Sequence, residues 1–131
     1  MRFLTLFIAF AGCSPSSGTP TPDASGDLTS GPKRVFVTSS TFKGDLRTAG
    51  GGSDGLDGGD RLCNMAAASG KLGATFTAWL SSSSTDALSR IAGSGPWQRT
   101  DGSPAFADRS ALAASPAVNV DKDENGALSS R

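Results

Sequence analysis

The sequence predicts a small α+β domain, on three observations. Residues 34–39 and 75–80 alternate side chains with the two-residue period of a strand. Between them, Leu62, Met65 and Ala66 fall at the i, i+3, i+4 spacing of a helix that closes at Gly70. Residues 33–131 are the part of the 131-residue chain with the composition of a folded core, which is enough for one small domain.

In the first strand, Val35 and Val37 share one face while Phe36 points to the other. Residues 41–59 then carry seven glycines and predict a surface loop. The helix is expected over residues 58–70, capped by Asp57 or Asp60, with Gly70 in the left-handed position after its last turn. The second strand is rich in β-formers and stops at the polar run 81–84. Residues 85–91 read as a helical turn, capped by Ser84 or Thr85, that presents Leu88 and Ile91 as an apolar pair. Residues 96–106 predict a hairpin, because Asp101-Gly102 supplies the positive φ angles of a tight turn between Trp97 and Phe106. Asp108 caps a last short helix through Leu112, and Val118 and Val120 open a final strand.

Ahead of the domain the composition changes twice. Arg2 supplies a positive charge, residues 3–10 an apolar run, and Ala11-Gly12 the small side chains that a signal peptidase requires before Cys13. The run is too short to span a bilayer. It predicts a lipoprotein signal peptide over residues 1–12 with Cys13 as the lipidated residue; acyl chains there anchor stably, since each buried methylene contributes about 0.8 kcal/mol. Ser14 follows, with no Asp to signal inner-membrane retention, which by resemblance to bacterial lipoprotein sorting points to an outer membrane or the cell surface. Residues 13–32 are rich in Ser, Thr, Pro and Gly, cannot offset their ordering entropy by burial, and predict a disordered tether reaching roughly 25 Å.

Charge narrows the function classes. Twelve basic residues balance twelve acidic ones, so no electrostatic footprint for nucleic acid is present. The chain has no His, which removes the usual triad base, zinc ligand and neutral-pH proton shuttle. With Cys63 as the one cysteine inside the domain, the reading is of a protein that is not an enzyme and needs no cofactor.

Two features invite a ligand. Asp121, Asp123 and Asn125 before Gly126 match the first half of a calcium-binding loop, which makes a calcium-dependent binding module one alternative. No predicted helix precedes them, and an Asn-Gly hairpin turn is the preferred reading. The Gly-Asp stretch 51–57 is a weaker calcium pattern, since it occurs once where such sites arise by stacking copies. Among the aromatic residues, Trp97, beside Pro96 and near a turn, is the candidate for an exposed sugar-stacking face.

Residues 33–42, then Gly55-Leu56-Asp57-Gly58-Gly59-Asp60 with Cys63 and residues 66–68, then residues 77–81 and 87–91, with Gly102 and residues 118–120 in the same order, resemble an uncharacterised domain of bacterial lipoproteins. That domain is similar to the endostatin-like branch of the C-type lectin-like fold. The resemblance implies an extracellular binding or adhesion module without catalytic residues, taking a glycan or matrix-protein ligand. It also implies a longer domain whose terminal cysteine pairs with the helical one, so the expectation here is an incomplete, N-terminal part over residues 33–131. Cys63 is then either buried and inert or the vestige of a shortened gene. Loss of such a bridge costs about 2 to 5 kcal/mol and predicts marginal order. A truncated envelope component without a ligand is the other alternative.

Overall fold

The computed structural model describes the backbone of Leu6–Phe10 and all of residues 32–129. Cys13 and the tether before Pro32 lie outside the described residues.

Strand β1 (Leu6–Phe10), β2 (Lys33–Val37), β3 (Thr75–Trp79), β4 (Trp97–Arg99) and β5 (Pro104–Phe106) form one sheet in the order β3-β1-β2-β4-β5. β1 is antiparallel to both of its neighbours, β2 and β4 run parallel, and β4 and β5 close the hairpin. The helices are α1 (Leu46–Gly50), α2 (Gly55–Ser69) and α3 (Ala87–Arg90), with a 3-10 turn at Ser110–Ala113. The α+β class is thus as expected.

Both faces of the sheet are covered. On one, Phe36 of β2 and Phe76 and Ala78 of β3 pack with Cys63 and Ala67 of α2. The Phe36 and Phe76 rings meet edge to face, centroids 4.9 Å apart. On the other, Val35, Ile91, Trp97, Ala105, Phe106 and Leu112 form a second cluster. Adjacent residues of β2 therefore belong to opposite clusters, which is the two-residue period expressed as a three-layer structure.

The helices depart from expectation in instructive ways. The glycine-rich stretch 41–59 is not a loop throughout: it contains α1, capped by Asp45, and the first turns of α2, capped by Asp54 rather than Asp57 or Asp60. Asp57 instead accepts from the Ser53 N–H at 2.7 Å, reinforcing the cap from inside the helix. The glycines serve the crossing of α1 with α2. A Cβ on Gly58 would stand 2.1 Å from the Leu46 carbonyl oxygen, so only hydrogen fits. The buried stripe of α2 runs through Gly59, Leu62, Cys63 and Ala67, whereas Met65 is 55% exposed. Gly70 has φ −78°, and the left-handed residue is Lys71 at φ 55°.

Later elements follow the sequence more closely. α3 is bordered by Asp86 with no side-chain cap, and the Ser81 hydroxyl accepts from the Ala87 N–H in its place. Gly102 at φ 86° turns the β4–β5 hairpin. Asp108 accepts from Ala111 at the start of the 3-10 turn. Val118 and Val120 form no strand; the segment passes irregularly, with Val120 against the second cluster. A short hairpin at Asp123–Gly126 follows, closed by a bridge between Lys122 and Leu128.

Asp45, Asp57, Asp101 and Asp108 are all held below the ordinary carboxylate value of 3.8, chiefly by hydrogen bonds from the Thr48 hydroxyl, the Ser53 N–H, the Ser103 N–H and the Ser110 hydroxyl respectively. Depressed folded-state values mean that the unfolded chain binds protons first, so their contribution is complete above 3.8 and is lost as pH falls through the folded values. With no His to titrate, the melting temperature is expected to stay flat from about pH 8 to pH 5 and to fall below about pH 4, as scanning calorimetry would show. In urea unfolding, Gly58→Ala should destabilise by about 3 kcal/mol. Gly55→Ala, where a Cβ meets nothing within 4 Å, should lie within about 1 kcal/mol of the parent.

Candidate functional site

Two open clefts indent the described surface. The first, about 420 Å³, lies where the end of α2 meets the Asp123–Gly126 hairpin, and is lined by Arg34, Gly70, Lys71, Thr100, Glu124 and Asn125 among others. The second, about 440 Å³, lies between the start of α2 and the serine run 81–84.

Local chemistry explains the first cleft. The Glu124 carboxylate is buried and takes hydrogen bonds from the Ser39 N–H, at 2.9 Å, and from the Ser39 hydroxyl, which ties the hairpin to the end of β2. Gly70 lets that hairpin approach, because a Cβ there would sit 2.2 Å from the Glu124 carbonyl oxygen. The Thr100 hydroxyl donates to the Asp123 carbonyl at 2.8 Å and braces the far side. Around this scaffold stand two exposed cations. Arg34 donates to the Thr100 carbonyl at 3.3 Å, and neither Arg34 nor Lys71 forms a salt bridge among the described residues. The cleft thus carries two cations against one carboxylate whose oxygens are already engaged.

Of the residues singled out from sequence, Asn125 lines this cleft, and Trp97, Asp121 and Asp123 do not. Trp97 is fully buried, packed in the second core cluster and paired in register with Phe106. It offers no face for a sugar ring; the hairpin that was expected to expose it folds its indole inward, because a chain this small needs its largest side chain as core. The calcium pattern is also spent internally. Arg99 binds Asp121 at 2.7 Å, and Asp123 is buried with its carboxylate accepting from the N–H groups of Asn125 and Ala127, both at 2.9 Å. These are the bonds of an Asx-type turn. Among the described residues no group of three or more acidic, Cys or His side chains is placed to hold a metal. The lipidation residue, Cys13, lies outside the described residues.

Arg34 and Lys71 were not anticipated as a pair. They are 37 positions apart, and only the seating of the hairpin beside the end of α2 brings them to one cleft. No local signal in the sequence marks them; Lys71 holds the left-handed backbone expected of Gly70.

Cys63 faces the first core cluster, fully buried and free. Burial, and secondarily the Asp60 charge, pushes its thiol far above the ordinary value of 9.0. A raised folded-state value leaves stability complete below 9.0 and loses it above, since only the unfolded chain then releases the proton. Stability should therefore decline above pH 9 by an amount approaching 1.36 kcal/mol per pH unit, and denaturant titrations of Cys63→Ala should lack that thiol-dependent decline. Cys63 in the intact fold should resist thiol reagents until the protein is unfolded. No family model, curated protein or solved structure matches the chain.

Proposed function

We propose that this chain is a lipid-anchored, non-catalytic binding module of the cell envelope, at the outer membrane or cell surface, and that its ligand is an extracellular glycan carrying carboxylate or sulfate groups. The proposal includes the endostatin-like branch of the C-type lectin-like fold as its architecture. The supporting observation is the cleft beside the Asp123–Gly126 hairpin, where Arg34 and Lys71 stand without acidic partners among the described residues. A guanidinium offers paired donors to a planar carboxylate and an ammonium adds a second point charge. The Asn125 amide and Thr100 hydroxyl supply the neutral hydrogen-bonding groups that a sugar ring requires.

Anchoring rests on the apolar run, the small residues and Cys13. Among the described residues no helix is long and apolar enough to cross a membrane. The binding reading is tested on a glycan array that includes uronate-bearing and sulfated oligosaccharides. Arg34→Ala/Lys71→Ala should lower binding to acidic members by about tenfold or more, the loss expected of two charge-assisted contacts, while raised salt weakens the parent in the same direction. Binding confined to matrix proteins, or no binding at all, would overturn it, the second outcome favouring a structural envelope component. Anchoring is tested separately: radiolabelled palmitate should enter the parent chain and not Cys13→Ser.

A further inference from the structure

β2 and β3 do not pair with each other. They stand one strand apart, and Leu6–Phe10 occupies the space between them, Leu6, Phe7 and Ile8 in register with Val37, Phe36 and Val35 on one side and with Trp79, Ala78 and Thr77 on the other. The apolar run expected to direct export is thus an interior strand of the sheet, between β3 and β2. Cleavage before Cys13 would remove it, so the lipidated chain and the five-stranded sheet are mutually exclusive.

The flanks of this space are also held by contacts that do not involve its occupant. β3 is held along its outer edge by side chains: the Asn64 amide donates to the Phe76 carbonyl at 3.0 Å and accepts from its N–H at 2.8 Å, Asp60 accepts from the Ala78 N–H at 2.7 Å, and Arg90 donates to the Ala78 carbonyl at 2.7 Å. β2 is held on its other side by β4 and by the bond from the Val37 N–H to the Lys122 carbonyl at 2.9 Å. α2 bridges both strands through Cys63 and Ala67, and the Phe36–Phe76 ring contact spans the interval. By strand alternation, the groups of β3 that face inward belong to Thr75, Thr77 and Trp79, opposite those of Phe36 in β2. Two facing rows of donors and acceptors, one strand width apart, are satisfied by an extended polypeptide and by no sugar or lipid chain.

We propose that the space between β2 and β3 is a strand-acceptor site, self-occupied by Leu6–Phe10 in the precursor and, after cleavage, taken by an extended apolar segment of a partner polypeptide. This rests on the processing part of the reading above and is separate from the acidic-glycan cleft. The chemistry of the partner follows from the segment that already fits: five residues, without charge or proline, antiparallel to both neighbours.

The test uses the precursor and the mature chain from the native cell, with intact mass reporting processing, and a labelled synthetic peptide of residues 4–10 as probe. The mature chain should bind the peptide one to one, and the precursor should not. Amide exchange at Phe36, Thr77 and Trp79 should be about a hundredfold faster in the mature chain than in the precursor and should slow again on peptide addition. If the mature chain alone is poorly ordered, recovery of its near-ultraviolet tryptophan signal on peptide addition supports the site and failure to recover overturns it. Unchanged protection after cleavage, with no peptide binding, also overturns it by showing that β2 and β3 close on each other. Should mass show no processing, the unprocessed Ile8→Pro chain replaces the mature one, because proline cannot donate to either ladder; binding of the peptide to it upholds the acceptor site and absence of binding refutes it.

Discussion

The sheet depends on the grip of α2 on β3. A strand at the end of a sheet exposes a row of unpaired backbone groups, and here that row is met by side chains from helices in place of another strand. Asn64 copies a peptide group, donating and accepting with Phe76, while Asp60 and Arg90 take the next residue, Ala78, and bind each other at 2.6 Å. Asn64 and Asp60 lie on the flank of α2, whose apolar stripe carries Leu62, Cys63 and Ala67, and Arg90 comes from α3. α2 therefore supplies core side chains of the first layer and, with Arg90 of α3, the termination of the sheet. Its small residues follow from this, because the edge-capping side chains reach β3 only if the helix lies close to it.

The same economy governs the other charges. Asp54 and Asp57 organise the start of α2, Arg99 gathers Asp101 and Asp121 into the join between two hairpins, and Asp123 and Glu124 build and seat the last of them. Among the described residues, most carboxylates accept from backbone N–H groups, and fewer pair with a base. The residue of that arithmetic is local: Arg34 and Lys71 are left beside a carboxylate that is fully engaged elsewhere. Charge asymmetry at one cleft thus arises in a neutral protein from how its carboxylates are used in folding.

How much of this was legible depends on whether the relevant physics is local. β2, β3, the Asp101-Gly102 hairpin and the Asp108 turn were readable because alternation, a turn dipeptide and a cap act within a few residues. The glycines of residues 41–59 misled, since glycine marks both a loop and a close helix crossing, and only the partner at Gly58 distinguishes them. Trp97 misled for a related reason: proximity to a turn says nothing about which way the hairpin faces. The acidic alternation at Asp121, Asp123 and Asn125 read better as a hairpin turn than as an ion site, and Arg99, more than 20 positions from Asp121, takes the first of these carboxylates. Arg34 and Lys71 carried no local signal at all.

The apolar run at the N-terminus is the extreme case of this ambiguity. Five uncharged, apolar residues in a row suit a signal-peptide core and a strand between two others, and periodicity does not separate the two. What separates them is order in time. On the proposed export route the segment is engaged before the domain that would pair with it has been made, whereas in a retained precursor Leu6–Phe10 has both flanks available. Pairing on two sides satisfies its backbone as fully as a bilayer helix would satisfy it, so on the proposed processing an uncleaved chain keeps a paired place for this segment. On the proposed processing, the surface form then differs from the precursor by one interior strand, and the contacts of α2 and β4 with β3 and β2 oppose a shift of β2 toward β3 that would absorb the difference.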